Sequence, residues 1–130
     1  MTKYSTINMD KKKSEVLVVH CSDPRFQEAY RQIIDDLGEY YDLLVFPGAS
    51  KAVAENESVI DSIKLLHDLH YFKIVHILDH ISCGVFGEVR DEQIAHSDML
   101  KLAADKLASF VPGIKVVPHL LGEKDEIKIL

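Results

Sequence analysis

The chain carries an apolar run, Glu15-Val16-Leu17-Val18-Val19-His20, that is followed directly by Cys21-Ser22-Asp23-Pro24-Arg25. The run is too short for a helix and rich in β-branched residues, so it predicts a strand buried on both faces. Pro24 suits the first position of a helix, and either Ser22 or Asp23 is placed to cap it. The segment therefore predicts a strand, a polar turn and a helix in immediate succession.

Strands and helices alternate along the rest of the chain. Buried-type strands are predicted at 42–46, 73–79 and 115–121, and helices at 24–37, 57–70 and 94–110. Residues 126–130 alternate like a short strand, whereas the pattern over 49–56 is ambiguous. The alternation predicts an α/β three-layer sandwich. Its central sheet has about four mainly parallel strands plus an antiparallel edge strand, with helices on both faces.

The length, net charge and cysteine content of the chain argue against several classes of protein. The 130 residues predict one domain over 15–130, preceded by a flexible or partner-held arm over 1–14. A net charge of −6 argues against a nucleic-acid partner, and Lys11–Lys13 is interpreted as a solvated tail. No segment is typical of a membrane span or a secretory leader. With only two cysteines and no sign of export, we expect a cytoplasmic protein whose thiols are free or bound to a metal.

Three residues combine into a candidate metal site. Cys21 follows the first strand, and His80 and Cys83 follow the third. Two thiolates and one imidazole suit zinc, and three protein ligands leave the fourth position open, as in catalytic sites. We also expect Cys83 to lie at or near a helix start, where the helix dipole would lower its pKa. The alternative is two inert buried cysteines and a hydrogen-bonded buried histidine.

Asp23 and Arg25 form a second candidate pair. Next to a metal, a carboxylate held by a guanidinium stays ionised and fixed in orientation. Asp23 is then placed either to accept a hydrogen bond from a metal-bound hydroxide or to ligate the metal itself. The alternative is a helix-capping aspartate and a surface arginine.

Together these residues resemble the signature of the β-class carbonic anhydrases. Cys21 to Arg25 is similar to the C-x-D-x-R half of that signature, and His80 to Gly84 to the H-x-x-C-G half. The resemblance implies that Cys21, His80 and Cys83 are zinc ligands and that Asp23 and Arg25 are the catalytic pair beside the metal.

The chain also differs from the usual pattern of that family. Phe46–Lys51 stands where the family usually has a segment containing arginine and asparagine, and Asp79 stands where it usually has glycine before the histidine. The chain also lacks most of the family's N-terminal helical arm. These features are typical of a compact, divergent branch.

The resemblance implies a zinc hydro-lyase that hydrates carbon dioxide to bicarbonate through a metal-bound hydroxide. One alternative keeps the zinc site but hydrolyses carbonyl sulfide or carbon disulfide. Another is a non-enzymatic zinc-binding or degenerate domain with a role in assembly or regulation. The short chain is expected to form a homodimer or a higher homo-oligomer, and the expected ligand is a small molecule rather than a membrane or a nucleic acid.

Further residues are weaker candidates. His96 and His119 are possible proton shuttles on residue type alone, and Ser50 and Lys51 are candidates for holding an anion such as bicarbonate. His76, in the middle of a strand, is expected to be a buried histidine with a hydrogen-bond partner.

Overall fold

The computed structural model describes residues 1–7, 9, 14–38 and 40–130. The strands are β1 (Val16–His20), β2 (Asp42–Val45), β3 (Ile74–His80), β4 (Lys115–Leu121) and β5 (Glu126–Ile127). The helices are α1 (Gln27–Asp35), α2 (Ser50–Glu55), α3 (Glu57–His70) and α4 (Glu92–Phe110), and a short 3₁₀ turn spans Pro24–Phe26.

The strands form one sheet in the order β2-β1-β3-β4-β5. β1 runs parallel to both β2 and β3, and β3 runs parallel to β4. Among the strands of the described residues, only β5 is antiparallel, and it pairs Leu120 of β4 with Ile127. The predicted architecture, mainly parallel with an antiparallel edge hairpin, is confirmed.

Helices cover both faces of the sheet. On one face the ring of Tyr30, from α1, stacks on His20 with 4.3 Å between ring centroids. Asp79 points to the opposite face because successive side chains of a strand alternate. There it contacts Ser50 at the start of α2 and His96 of α4. α3 packs against α2 and α4.

β1 and β3 are buried as their sequences predict, whereas β4 is only partly buried and β2 is not buried on both faces. All five residues of β1 are buried. In β2 the residues alternate, and Leu43 and Val45 are each 43% exposed. The prediction that β2 is buried on both faces is therefore wrong, because β2 lies at the edge of the sheet and one of its faces is uncovered.

Most predicted helices are found, with shifted ends. α1 ends at Asp35 rather than continuing to residue 37. α4 starts at Glu92, two residues earlier than predicted, and its N-terminal amide at Ile94 is capped by the Asp91 carboxylate. The ambiguous segment 49–56 contains α2.

The predicted N-terminal arm is described only in part. Residues 1–7 are exposed and form neither helix nor strand, while residues 10–13, with the lysine run, lie outside the described residues. Within the described ranges, no helix is long and apolar enough to cross a membrane.

Candidate metal centre

Strand order creates the site. After β1 the chain places β2 on one side of it and β3 on the other, so the direction of winding reverses between β1 and β3. In open α/β sheets, ligands bind beyond the carboxyl ends of the strands at such a reversal. Cys21 follows the last residue of β1, His80 is the last residue of β3, and Cys83 lies in the turn that comes next.

The ligand atoms of Cys21, His80 and Cys83 all lie within 4.8 Å of one another. The three residues are buried, with exposures of 4%, 1% and 5%. The two sulfur atoms are 3.9 Å apart, and both cysteines are free thiols. Two sulfurs on one tetrahedral zinc ion at ordinary bond lengths would be about 3.8 Å apart. The spacing therefore fits a single zinc ion, and in the free protein it is also the distance of a hydrogen bond between the two thiols.

His80 presents an unpaired nitrogen at this site. Its Nδ1 lies 2.6 Å from the carbonyl oxygen of Ile81. A carbonyl only accepts, so Nδ1 carries the proton and Nε2 has a free lone pair. Nε2 is buried and has no hydrogen-bond partner in the described part of the chain. A histidine whose other nitrogen donates to a carbonyl is the usual form of a metal-ligating imidazole.

Backbone amides approach the thiols. The amide of Gly48 lies 3.4 Å from the sulfur of Cys21 and donates to it. Burial raises the pKa of the Cys83 thiol, while hydrogen bonds from the backbone of Val85 and Phe86 act in the opposite direction. The expectation that Cys83 lies at a helix start is wrong: the next helix, α4, begins only at Glu92. Cys83 instead occupies a turn.

Asp23 and Arg25 form the expected pair beside this site. The Arg25 guanidinium donates to both carboxylate oxygens of Asp23, at 3.0 Å from Nε to Oδ1 and 2.7 Å from Nη2 to Oδ2. A further bond of 2.9 Å ties Arg25 to the carbonyl of Ser82. The side-chain hydrogen bond with Arg25 lowers the pKa of Asp23 to about 2. Oδ2 of Asp23 lies 3.7 Å from Nε2 of His80.

Asp23 also caps the 3₁₀ turn, since its Oδ1 accepts a hydrogen bond of 2.8 Å from the amide of Arg25. The capping interpretation and the site interpretation are thus both compatible with the geometry. What the cap alone does not explain is the orientation of the second oxygen toward His80.

A cavity of about 760 Å³ adjoins this pair. It lies between α1 and the hairpin of β4 and β5, and Arg25, Phe26 and Ser82 are among its lining residues. Phe26 also contacts the candidate metal site, because its ring stacks on His80 with 4.4 Å between centroids.

A buried polar cluster, which the sequence patterns did not predict, lies on the other face of the sheet. The Asp79 carboxylate accepts from the amide and hydroxyl of Ser50, at 2.9 and 2.5 Å, and pairs with Nδ1 of His96 at 2.8 Å. The only signal was Asp79 itself, the one acidic residue of β3. Ser50 is fully buried, so it is not available to an anion in solution. Lys51 donates to the carbonyl of Val85 at 3.3 Å.

Two histidines lie away from the site. Nδ1 of His76 is 2.9 Å from Nε2 of His119, whose Nδ1 is 3.0 Å from the Glu126 carboxylate. His76 is thus a buried histidine with a partner, as predicted. Burial is the main cause that lowers its pKa.

Solved structures share this architecture. The crystal structure of β-carbonic anhydrase isoform I from Trichomonas vaginalis matches with a TM-score of 0.66 and 12% identity, covering 98% of this chain and 88% of that one. The β-carbonic anhydrase CafA of Aspergillus fumigatus matches with a TM-score of 0.52 and 15% identity, covering 92% and 77%. The fold is that of the β-carbonic anhydrases.

Sequence comparison gives the family. The model of the family described as "Putative carbonic anhydrase" matches residues 11–130. The chain belongs to this family. Uncharacterized proteins of Rickettsia bellii and Rickettsia conorii are each 27% identical over 127 residues; the match covers 85% of this chain and 77% and 68% of theirs.

The close approach of Gly48 to the turn after β3 is testable. Gly48 has φ +85°, and a Cβ there would lie 2.7 Å from Cγ1 of Val85. Gly113 has φ +83° and open space around it, so it is a matched control for backbone strain alone. We expect Gly48→Ala to lower the free energy of unfolding by about 1–3 kcal/mol more than Gly113→Ala, because it adds overpacking to the strain. Urea unfolding of both variants measures the difference, and equal losses would contradict the packing against Val85.

Proposed function

We propose that this protein is a zinc-dependent hydro-lyase that hydrates carbon dioxide to bicarbonate, with zinc held by Cys21, His80 and Cys83. One observation carries the proposal: three buried donors of the right chemistry lie within 4.8 Å of one another beside a carboxylate clamped by arginine. Membership of the carbonic anhydrase-like family supports it.

The residues fit zinc. The donor set of two thiolates and one imidazole is one that zinc accepts, and the sulfur separation matches tetrahedral bonding. The lone pair on Nε2 of His80 otherwise remains buried and unpaired. Since bound thiolates must stay reduced, the protein acts in a reducing compartment such as the cytoplasm.

When bound, zinc supplies Lewis acidity that brings the pKa of a coordinated water toward about 7. The protein itself positions the residues around the zinc ion. Asp23 stays ionised at neutral pH, so both of its oxygens are acceptors. Oδ2 lies close to His80. It is therefore positioned to accept a hydrogen bond from a group at the fourth zinc position, which the three protein ligands would leave open. Arg25 holds that oxygen in place and competes with the metal for the carboxylate.

The first prediction concerns the metal. Protein purified without chelators should carry close to one zinc per chain, and His80→Ala should abolish tight binding because two protein ligands are too few. His76→Ala is the matched control, since it removes another buried histidine of β3 that faces the same side of the sheet. Elemental analysis measures zinc per chain. A wild-type protein that neither carries zinc nor takes it up would contradict the proposal.

The second prediction concerns Asp23. Asp23→Asn should keep zinc, since three ligands remain, but lower the hydration rate per zinc by roughly 10²–10⁴-fold. The lowered pKa means that Asp23 is ionised everywhere above about pH 2, so the loss should be the same from about pH 6.5 to 9. Arg25→Ala should also keep zinc and lose activity, because the carboxylate is then free to ligate the metal.

Asp91→Asn is the control for capping, because Asp91 caps α4 in the same way that Asp23 caps the 3₁₀ turn. It should leave the rate unchanged. If Asp23→Asn is as active as Asp91→Asn at every pH, Asp23 has no part in the reaction. Hydrolysis of carbonyl sulfide without hydration of carbon dioxide would reassign the substrate, and a zinc-loaded protein inactive on both would be a non-enzymatic member.

We also propose that the chain forms a homodimer or a higher homo-oligomer. The support is β2, an edge strand whose Leu43 and Val45 are exposed. Exposed apolar edges are ready surfaces for pairing with another chain. Val45→Lys should dissociate the oligomer in light scattering, whereas Leu65→Lys, at a 59% exposed site of α3, should not. A wild-type protein that is monomeric at micromolar concentration would contradict this prediction.

A further inference from the structure

Asp79, Ser50 and His96 form a closed polar cluster in the interior. Their exposures are 1%, 0% and 1%. The Asp79 carboxylate accepts hydrogen bonds from the Ser50 amide at 2.9 Å and from the Ser50 hydroxyl at 2.5 Å. It also pairs with Nδ1 of His96 at 2.8 Å. The cluster joins the end of β3 to the start of α2 and to α4.

Each of the three metal-site segments is connected to this cluster. His80 follows Asp79 directly and points to the other face of the sheet. Two residues before Ser50, the amide of Gly48 donates to the sulfur of Cys21 at 3.4 Å. The ring of His96 packs on Phe86, with 3.9 Å between centroids.

Phe86 connects His96 to Cys83, because its amide donates to the carbonyl of Cys83 at 3.1 Å. The cluster thus contacts no ligand atom itself, yet it fixes the backbone that carries or contacts all three.

Stability alone does not explain the cluster. Nε2 of His96 is buried without a hydrogen-bond partner among the described residues, and such a group costs about 1–3 kcal/mol. Ala49, just before Ser50, has φ 39°, which L residues rarely adopt. Such strain persists where surrounding bonds over-determine the backbone, and here the two bonds from Ser50 to Asp79 do so.

We propose that Asp79 is a positioning residue of the metal centre: through Ser50 it holds the Gly48 amide against the Cys21 thiolate, and through His96 it holds the turn that carries Cys83. The inference rests on the proposed metal site but not on the substrate. Asp79 acts through the backbone, so replacing it should weaken metal binding in a protein that still folds.

Asp42 offers a matched control. Its carboxylate accepts from the Ser14 hydroxyl at 2.6 Å and pairs with Nδ1 of His70 at 2.8 Å, so its partners are of the same kinds. Asp42 begins β2, whereas Asp79 lies near the end of β3. Because these strands run in the same direction, the two aspartates lie at opposite ends of the sheet.

The experiment loads wild type, Asp79→Asn and Asp42→Asn with cobalt(II) in place of zinc. It measures cobalt affinity by competition with a chelator and the thiolate-to-cobalt charge-transfer absorption. We expect Asp79→Asn to bind cobalt about 10–100-fold more weakly and to show a shifted charge-transfer band. Asp42→Asn should match wild type in both. Circular dichroism checks that each variant is folded.

A folded Asp79→Asn with wild-type affinity and spectrum would overturn the proposal, as would equal losses in Asp42→Asn. If Asp79→Asn fails to fold, Ser50→Ala decides: it removes only the hydroxyl bond and should shift affinity and spectrum in the same direction, and wild-type values would overturn the proposal. A wild type that binds cobalt through its thiolates but does not hydrate carbon dioxide defeats the proposed function alone. A wild type that binds no cobalt defeats both.

Discussion

The arrangement of this protein depends on one constraint: two thiols and one imidazole nitrogen are held close together in a buried place. The imidazole nitrogen is costly to bury without a partner, and the backbone determines where all three groups lie. The sheet does this by ending β1 and β3 side by side, at the point where the chain reverses its winding. Cys21 and His80 become neighbours through strand pairing, and a short turn returns Cys83 to them. The candidate ligand set is therefore brought together by the topology of the sheet rather than by one local motif.

Two aspartates lie near the candidate metal centre on opposite faces of the sheet, and their surroundings differ. Asp23 is held by a guanidinium and keeps one oxygen near His80, where it can meet a reacting group. Asp79 is buried and fully occupied by Ser50 and His96, so it has no oxygen to offer a substrate. The first carboxylate is suited to chemistry and the second to holding the backbone, although both lie within two residues of a candidate ligand.

Sequence patterns predicted the elements that depend on the local spacing of apolar and polar residues. The interior strands and long helices follow from apolar periodicity, and the site follows from the residues placed after two strands. The exposure of β2 was missed because an apolar run at a sheet edge reads the same as one in the middle. The helix start expected at Cys83 was wrong because Ser82 and Gly87 have positive φ values, which a helix does not tolerate. The Asp79 cluster was missed because its partners lie 29 and 17 residues away.

That cluster links the two departures from the usual pattern of the β-carbonic anhydrases. Asp79 stands where glycine is usual, and Ser50 belongs to the segment that stands in place of the one with arginine and asparagine. In the structure these positions are hydrogen-bonded to each other. A glycine at position 79 would leave the Ser50 amide and hydroxyl and the His96 nitrogen buried without their acceptor, at about 1–3 kcal/mol for each unpaired group. The two departures are therefore one structural unit, and changing either alone would leave buried polar groups of the other without their partners.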